Sequence, residues 1–417
     1  MLQIIDSSDT RAVEHLLDRR PSQDPAVRRR AAAIIAAVRR GGDAALRRYA
    51  RRFDGLEATL EVSRAEMLKA SHQVRPEVRR ALRVAARHIR QVAVAQRPRM
   101  QRVRVAPGLS VAARVVPLGR VGCYVPAGRY PLPSSLLMAA IPARVAGVPE
   151  VVVACPRPDP VVFAAALEAG VDRFFRVGGA QAVAALAYGT ASVPRVDKIV
   201  GPGNRYVTAA KDLVATDCAI DFHAGPSEIV VVADDLAPGW VAADLIAQAE
   251  HDPDARAILV TTRRAYARHV AREVAVALPA DGPAAAALFR HGAIVVTAGR
   301  TEAVALVNRL APEHVLCADR VTAAGITCAG TVFVGGHTVP AAGDYVTGSN
   351  HVLPTAGAAR FRGGLSTADF VRVMAVQELS AGRLRRLAPA AIALARAEGL
   401  EAHARSVEAR LTALAGR

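Results

Sequence analysis

The spacing of apolar positions changes twice along the chain. Up to about residue 100 they recur at helical intervals. DPAVRRRAAAIIAAVRRGGDAALRRYARRFDG (24–55) returns an apolar residue every three or four positions and stops at GG and DG, which predicts helix punctuated by glycine. PEVRRALRVAARHIRQVAVAQ (76–96) predicts a second long amphipathic helix. From about residue 110, short β-branched runs alternate with Ala-rich segments. The predicted strands are GRVGCYV, EVVVAC, RFFRV, KIVG, EIVVVAD, AILVTT, GAIVVTA and TVFVGG. Runs without a polar face suit strands covered on both sides. Their alternation with helices predicts parallel sheets and an α/β fold. After 365 the spacing turns helical again, through STADFVRVMAVQEL and LRRLAPAAIALARAEGLEAHARSVEARLTALA.

There is an internal echo. EVVVACP…VFAAALEAG…RFFRVGGAQAVAAL and AILVTTR…HVAREVAVAL…AIVVTAGRTEAVAL both run strand, helix, strand, turn, helix. Two duplicated α/β units are expected, near 120–230 and 230–365. The domain division expected is 20–122 plus 229–365 as a discontinuous first α/β domain, 123–228 as an inserted second one, and 1–19 plus 366–417 as a helical region.

Length and composition fit this picture. The 417 residues are 52% hydrophobic and 22% charged, which suits a globular chain with a large core. The N-terminus lacks the pattern of a secretory signal, and no apolar run is long enough to span a bilayer. Cys123, Cys155, Cys218, Cys317 and Cys328 form no CxxC pair, which suits a reducing cytoplasm. The net charge of +17 invites a nucleic-acid partner. The arginines, however, are scattered and aromatics are only 4%, so stacking platforms are scarce. Neither a nucleic-acid nor a membrane partner is expected.

Candidate chemistry lies in short polar clusters. Gln248 and His251 are three apart in GWVAADLIAQAEHDPDARAILVTT and share a helix face. They form either a metal-binding pair or a polar helix end. Asp344 and His351 sit in AAGDYVTGSNHVLPT, among glycines that make a loop. Glu398 and His403 flank Gly399 in ARAEGLEAHARSV, which alone reads as a solvated helix surface. Glu313 and His314 in APEHV are candidate acid–base groups. VDKIVGPGNRYV and DFHAGPSEIVV place Gly-Pro turns at strand ends. Neither GxGxxG nor GxxxxGK[ST] occurs. For a Gln/His/Asp/His set zinc leads, with manganese or cobalt also fitting.

Taken in order, GRVGCYVPAGRYPLPSSLLMAAIPARVAGV, VGGAQAVAALAYGT, VDKIVGPGNRYVTAAK, DFHAGPSEIVVVAD, DLIAQAEHDPDA, APEHV, AGDYVTGSNHVLPT and AEGLEAHARSV resemble the histidinol dehydrogenase family. The resemblance implies oxidation of L-histidinol through L-histidinal to L-histidine, with two NAD⁺ reduced. It implies one Zn²⁺ per site, held by Gln248, His251, Asp344 and His403, the last from the other subunit of a homodimer. The tail would then serve dimerisation. Ser227, Gln248, His251, His314, Asp344, His351, Glu398 and His403 match substrate contacts, and Tyr124, Gln181 and Asn204 match NAD contacts in the 123–228 domain. His314 would be the base in both oxidations and Glu313 would activate the water between them. Four features depart from the family pattern: Ala127, Arg129-Tyr130, His223, and VLCADR after His314, which lacks the usual acidic residue. The segment Ala127-Gly128-Arg129-Tyr130 carries an alternative reading, a paralogous zinc- and NAD-dependent dehydrogenase of another small amino alcohol or a sulfonated diol.

Overall fold

The computed structural model describes residues 2–18, 24–127, 130–222 and 225–415. The strands in chain order are β1 (Gln3–Asp6), β2 (Glu61–Val62), β3 (Gln101–Ala106), β4 (Leu109–Pro117), β5 (Arg120–Tyr124), β6 (Glu150–Ala154), β7 (Arg173–Phe175), β8 (Lys198–Val200), β9 (Ala219–Ile220), β10 (Glu228–Val232), β11 (Arg256–Thr261), β12 (Ala293–Val296), β13 (His314–Cys317), β14 (Thr331–Val334) and β15 (Val371–Leu379). They form two six-stranded sheets and one three-stranded sheet. The chain splits into two compact units: residues 1–97 with 118–370, and residues 98–117 with 371–417.

The first unit holds both large sheets. One runs β1-β12-β11-β10-β13-β14, entirely parallel. The other runs β2-β7-β6-β5-β8-β9, parallel except for the antiparallel edge strand β2. Counted from β10 in one and β5 in the other, each follows the order third, second, first, fourth, fifth, with one extra edge strand. The internal echo is therefore a duplication of sheet topology. This order reverses direction beside the first strand, and such switch points are where α/β sheets bind ligands.

Continuous apolar runs became strands buried on both faces. Ile229, Val231, Leu259, Ile294 and Leu316 belong to one core cluster, while Val230, Val232, Ile258, Val260, Val295 and Val315 belong to another. Alternate residues of one strand thus feed opposite layers, as the pleat requires. All eight strands read from the sequence are present. Among the described residues, no helix is long and apolar enough to cross a membrane.

The second unit corrects the expected all-helical tail. Residues 371–379 form β15, which pairs antiparallel with β4 from Val371↔Pro117 to Leu379↔Leu109, and β4 pairs with β3. The helical spacing of STADFVRVMAVQEL loses to a nine-pair ladder set by distant sequence. The helices Ala381–Ala397 and Glu401–Ala415 follow, as expected. A second correction concerns the N-terminus: Gln3–Asp6 is not part of a helical region but the parallel edge strand beside β12.

Candidate active site

Glu313 and His314 lie where a helix gives way to a strand. The helix Arg300–Leu310 ends at Ala311, which is left-handed (φ 41) and sends its N–H to the Val307 carbonyl. Pro312 cannot extend the helix, and β13 begins at His314. Glu313 is anchored by its backbone, since its carbonyl accepts Thr331 N–H at 2.9 Å. Position 330 must be glycine, because a Cβ there would lie 2.5 Å from the Glu313 carbonyl oxygen.

The side chains of these neighbours converge. Glu313 Oε2 is 3.6 Å from His314 Nδ1. The same oxygen accepts the Ser227 hydroxyl at 2.5 Å and Glu228 N–H at 2.9 Å. Gln248 Nε2 in turn donates to Ser227 Oγ. His314 Nδ1 lies 3.3 Å from the Glu228 carbonyl oxygen, and Nε2 faces Asp344 Oδ1 at 3.8 Å. Its ring packs against Phe333, centroids 5.7 Å apart. Asp344 Oδ2 faces His251 Nε2 at 4.0 Å.

The loop carrying Asp344 and His351 is held from several sides. His88 Nδ1 meets the Val346 carbonyl at 2.7 Å, and Asn350 Nδ2 donates to the Met138 carbonyl at 2.7 Å. His351 Nδ1 lies 2.8 Å from the Asp344 carbonyl oxygen, while Nε2 lies 3.3 Å from Ser135 Oγ.

Burial sets the proton affinities. It pushes Glu313 up to about 8, against the pull of the Ser227 and Glu228 hydrogen bonds. It pushes His314 down, with Asp344 opposing. It holds His351 down at about 4 and raises Asp344. At neutral pH the site therefore pairs a protonated Glu313 with a neutral imidazole on His314. A carboxyl whose burial drives its pKa toward neutrality, as at Glu313, is suited to acid–base work.

Within the first unit the structure brings together Ser227, Gln248, His251, Glu313, His314, Asp344 and His351. Among the described residues no group of three or more His, Cys, Asp and Glu side chains is poised as a metal site. The donors His251 and Asp344, with the buried amide of Gln248, nevertheless form an open set whose chemistry suits zinc once a further ligand joins. Glu398 and His403 belong to the second unit, at the end of the helix Ala381–Ala397 and on the helix Glu401–Ala415.

Tyr124, Gln181 and Asn204 occupy the carboxyl side of the other sheet. Tyr124 ends β5, Asn204 follows β8 and caps the helix Arg205–Val214, and Gln181 lies in the first turn of the helix Gly179–Tyr188 after β7. β5 and β8 are the switch-point strands. The Tyr124 hydroxyl oxygen accepts Gly179 N–H at 3.1 Å. The turn at Gly201 is gripped by a buried ion pair: Lys211 donates to the Gly201 carbonyl at 3.0 Å and to Asp221, whose Oδ2 accepts Gly201 N–H at 2.7 Å. Of the positions noted above, Gly128, Arg129 and His223 lie outside the described residues, and Tyr130 is exposed.

Sequence reasoning singled out neither Ser135, the Lys211–Asp221 pair nor Asp54, whose Oδ2 accepts Gly178 N–H and the Gln181 amide at 3.0 and 3.2 Å. Asp54 lies in RRFDG, where it reads only as a helix stop. Its partners are more than a hundred residues away, so no local spacing marks it.

Comparisons with known proteins agree along most of the chain. The family model described as Histidinol dehydrogenase matches residues 17–411. Histidinol dehydrogenase of Rhizobium meliloti is 49% identical over 394 residues, covering 91% of this chain and 91% of its own. That of Pseudomonas aeruginosa is 45% identical over 425 residues, covering 98% of this chain and 97% of its own. The crystal structure of histidinol dehydrogenase from Elizabethkingia anophelis matches with a TM-score of 0.95 at 32% identity, covering 99% of this chain and 98% of that one.

Proposed function

The chain belongs to the histidinol dehydrogenase family, and from that premise we propose that it oxidises L-histidinol through L-histidinal to L-histidine, reducing two NAD⁺. The observation that carries the reading is the buried Glu313–His314 pair, 3.6 Å apart, with Asp344 on the far side of the imidazole.

The residues divide the work as follows. His314, neutral because it is buried, takes the hydroxyl proton as the alcohol is oxidised, and does so again for the hydrated aldehyde. Glu313 takes a proton from the water that adds to the aldehyde. Its raised pKa makes it an effective base once it is ionised, and Ser227 and the Glu228 N–H hold the carboxylate oxygen in place. Holding the aldehyde in the site until it is hydrated and oxidised again prevents its loss. Gln248, His251 and Asp344 would hold zinc, joined by His403 of the second subunit in a homodimer. When bound, the metal supplies a Lewis acid that orients the amino alcohol. Ser227, His351 and Glu398 complete the substrate contacts, Glu398 by a charge-assisted bond to a cationic group. Tyr124, Gln181 and Asn204 bind NAD⁺, the hydride acceptor, within the 123–228 region. Segment 366–417 makes the dimer contact. The free thiols suit a cytoplasmic enzyme.

Steady-state kinetics with zinc and NAD⁺ test the proposal. Turnover of L-histidinol is expected, along with its loss on chelation and recovery on adding zinc back. Negligible turnover, with activity instead on another amino alcohol or a sulfonated diol, would assign the chain to the paralogous reading.

A further inference from the structure

Asp54 occupies a place that the function above leaves unexplained. The helix Pro25–Tyr49 runs into a five-residue π-turn, Ala50–Asp54, which ends at left-handed Gly55 (φ 66). Such turns commonly end helices. This one delivers the carboxylate to the carboxyl ends of β5, β6 and β7. There Asp54 Oδ2 accepts both Gly178 N–H and the Gln181 amide. The next N–H, of Gly179, goes to the Tyr124 hydroxyl oxygen. Asp54 Oδ1 accepts no hydrogen bond from the described residues. A Cβ on Gly178 would fall 2.6 Å from Pro156 and 3.1 Å from Asp54 Oδ1, so these three positions are packed against one another.

The topology gives this position meaning. In a sheet of this strand order, an acid at the carboxyl end of the second strand hydrogen-bonds the ribose 2′-hydroxyl of a dinucleotide. The second strand here is β6, and the residues after it are Cys155, Pro156 and Arg157. None is acidic. Asp54 fills the place from a distant segment. Arg157 is exposed and donates to the Ala127 carbonyl at 3.4 Å; burial raises the Asp54 pKa, and the Gly178 and Gln181 hydrogen bonds and the Arg157 charge oppose that rise and favour the carboxylate. An arginine in this position accommodates a 2′-phosphate. A carboxylate beside it offsets that attraction and repels the phosphate.

We infer that Asp54 selects the cofactor: its carboxylate accepts the ribose 2′-hydroxyl of NAD⁺ and excludes the 2′-phosphate of NADP⁺. The inference rests on the reading of Tyr124 and Gln181 as cofactor contacts. It concerns binding, so it can be measured without turnover.

Calorimetric titration with ADP-ribose and with 2′-phospho-ADP-ribose tests it. The unaltered protein is expected to prefer ADP-ribose by about 100-fold, the scale of a like-charge juxtaposition. Asp54→Asn keeps the shape and an oxygen acceptor for Gly178 N–H. It is expected to shrink that preference at least about tenfold, mainly through tighter binding of the phosphorylated probe. A carboxylate that only capped the helix would instead weaken both probes together, which would overturn the inference. So would an unchanged preference in Asp54→Asn. Arg157→Ala leaves the Asp54 hydrogen bonds intact and keeps the test decisive if Asp54→Asn does not fold. It is expected to weaken the phosphorylated probe further and spare ADP-ribose, and equal binding of the two would overturn the inference. If the unaltered protein binds neither probe, the cofactor reading itself fails and the inference falls with it. If ADP-ribose binds but Asp54→Asn does not alter the preference, only the inference fails.

Discussion

Adjacent residues on a regular strand point to opposite faces, yet Glu313 and His314 meet within 3.6 Å. The geometry is possible because Glu313 precedes β13 and follows left-handed Ala311 and the helix-ending Pro312. The pair can therefore act on one substrate at different moments. Glu313→Gln is expected to spare aldehyde formation and slow acid formation by about 10²–10⁴-fold, the usual worth of a positioned acid–base group. His314→Asn is expected to slow both oxidations. Rapid-quench analysis of histidinal and histidine separates the steps. Glu313→Gln blocking only the first would contradict this division. Burial also leaves a signature in stability. Between about 4.5 and 8 the folded protein keeps a proton on Glu313 that the unfolded chain has lost, so its contribution is complete below the unfolded pKa and lost as pH rises through the folded one. The stability difference between metal-free wild type and Glu313→Gln should therefore decline with rising pH across that window, by up to about 1.4 kcal/mol per pH unit. Denaturant titrations at several pH values check it, and a difference that grows with pH would contradict it.

The elements that were legible in the sequence were those with their own internal signal. EIVVVAD and AILVTT are rich in β-branched residues and became central strands covered on both faces. Gln248 and His251 were legible as a shared helix face because three residues nearly complete a turn. β15 was not legible, because its partner β4 lies more than 250 residues away and the ladder, not local spacing, decides its state. β1 and β2 are short edge strands whose existence depends on β12 and β7. Lys211–Asp221 was hidden for a different reason: the two lie ten residues apart, one on the helix Arg205–Val214 and one just past β9, and neither a helix nor a strand period links them. Both side chains are buried, and together they hold both backbone polar groups of Gly201, where a Cβ would overlap the Tyr124 carbonyl. Lys211→Met leaves Asp221 buried without its cation and is expected to destabilise the fold by about 3–5 kcal/mol. It should also weaken NAD⁺ binding through the Gly201–Asn204 turn. Denaturant melts and calorimetry check both effects. A variant of unchanged stability would show that the pair is dispensable.

At the scale of the molecule, two sheets of one topology carry different tasks. The acid–base cluster lies at the amino ends of β10, β13 and β14, with Ser227, His314 and Thr331 at or beside the strand starts. The proposed cofactor contacts lie at the carboxyl ends of β5 and β8, the usual place for ligands in such sheets. The two frameworks share a strand order, and on the proposed reading only one holds its ligand at the switch point. If His403 completes the site of a second subunit, His314→Asn and His403→Ala chains should complement. Mixed in equal amounts, two inactive preparations should recover about a quarter of wild-type activity, since half the dimers are mixed and each has one intact site. No recovery after verified subunit exchange would place His403 in the site of its own chain. The four-electron reaction is tested most directly by counting NADH formed per L-histidinol consumed in a reaction run to completion. Two per substrate, with L-histidine as the product, is the expected result. One per substrate, with aldehyde accumulating, would contradict it.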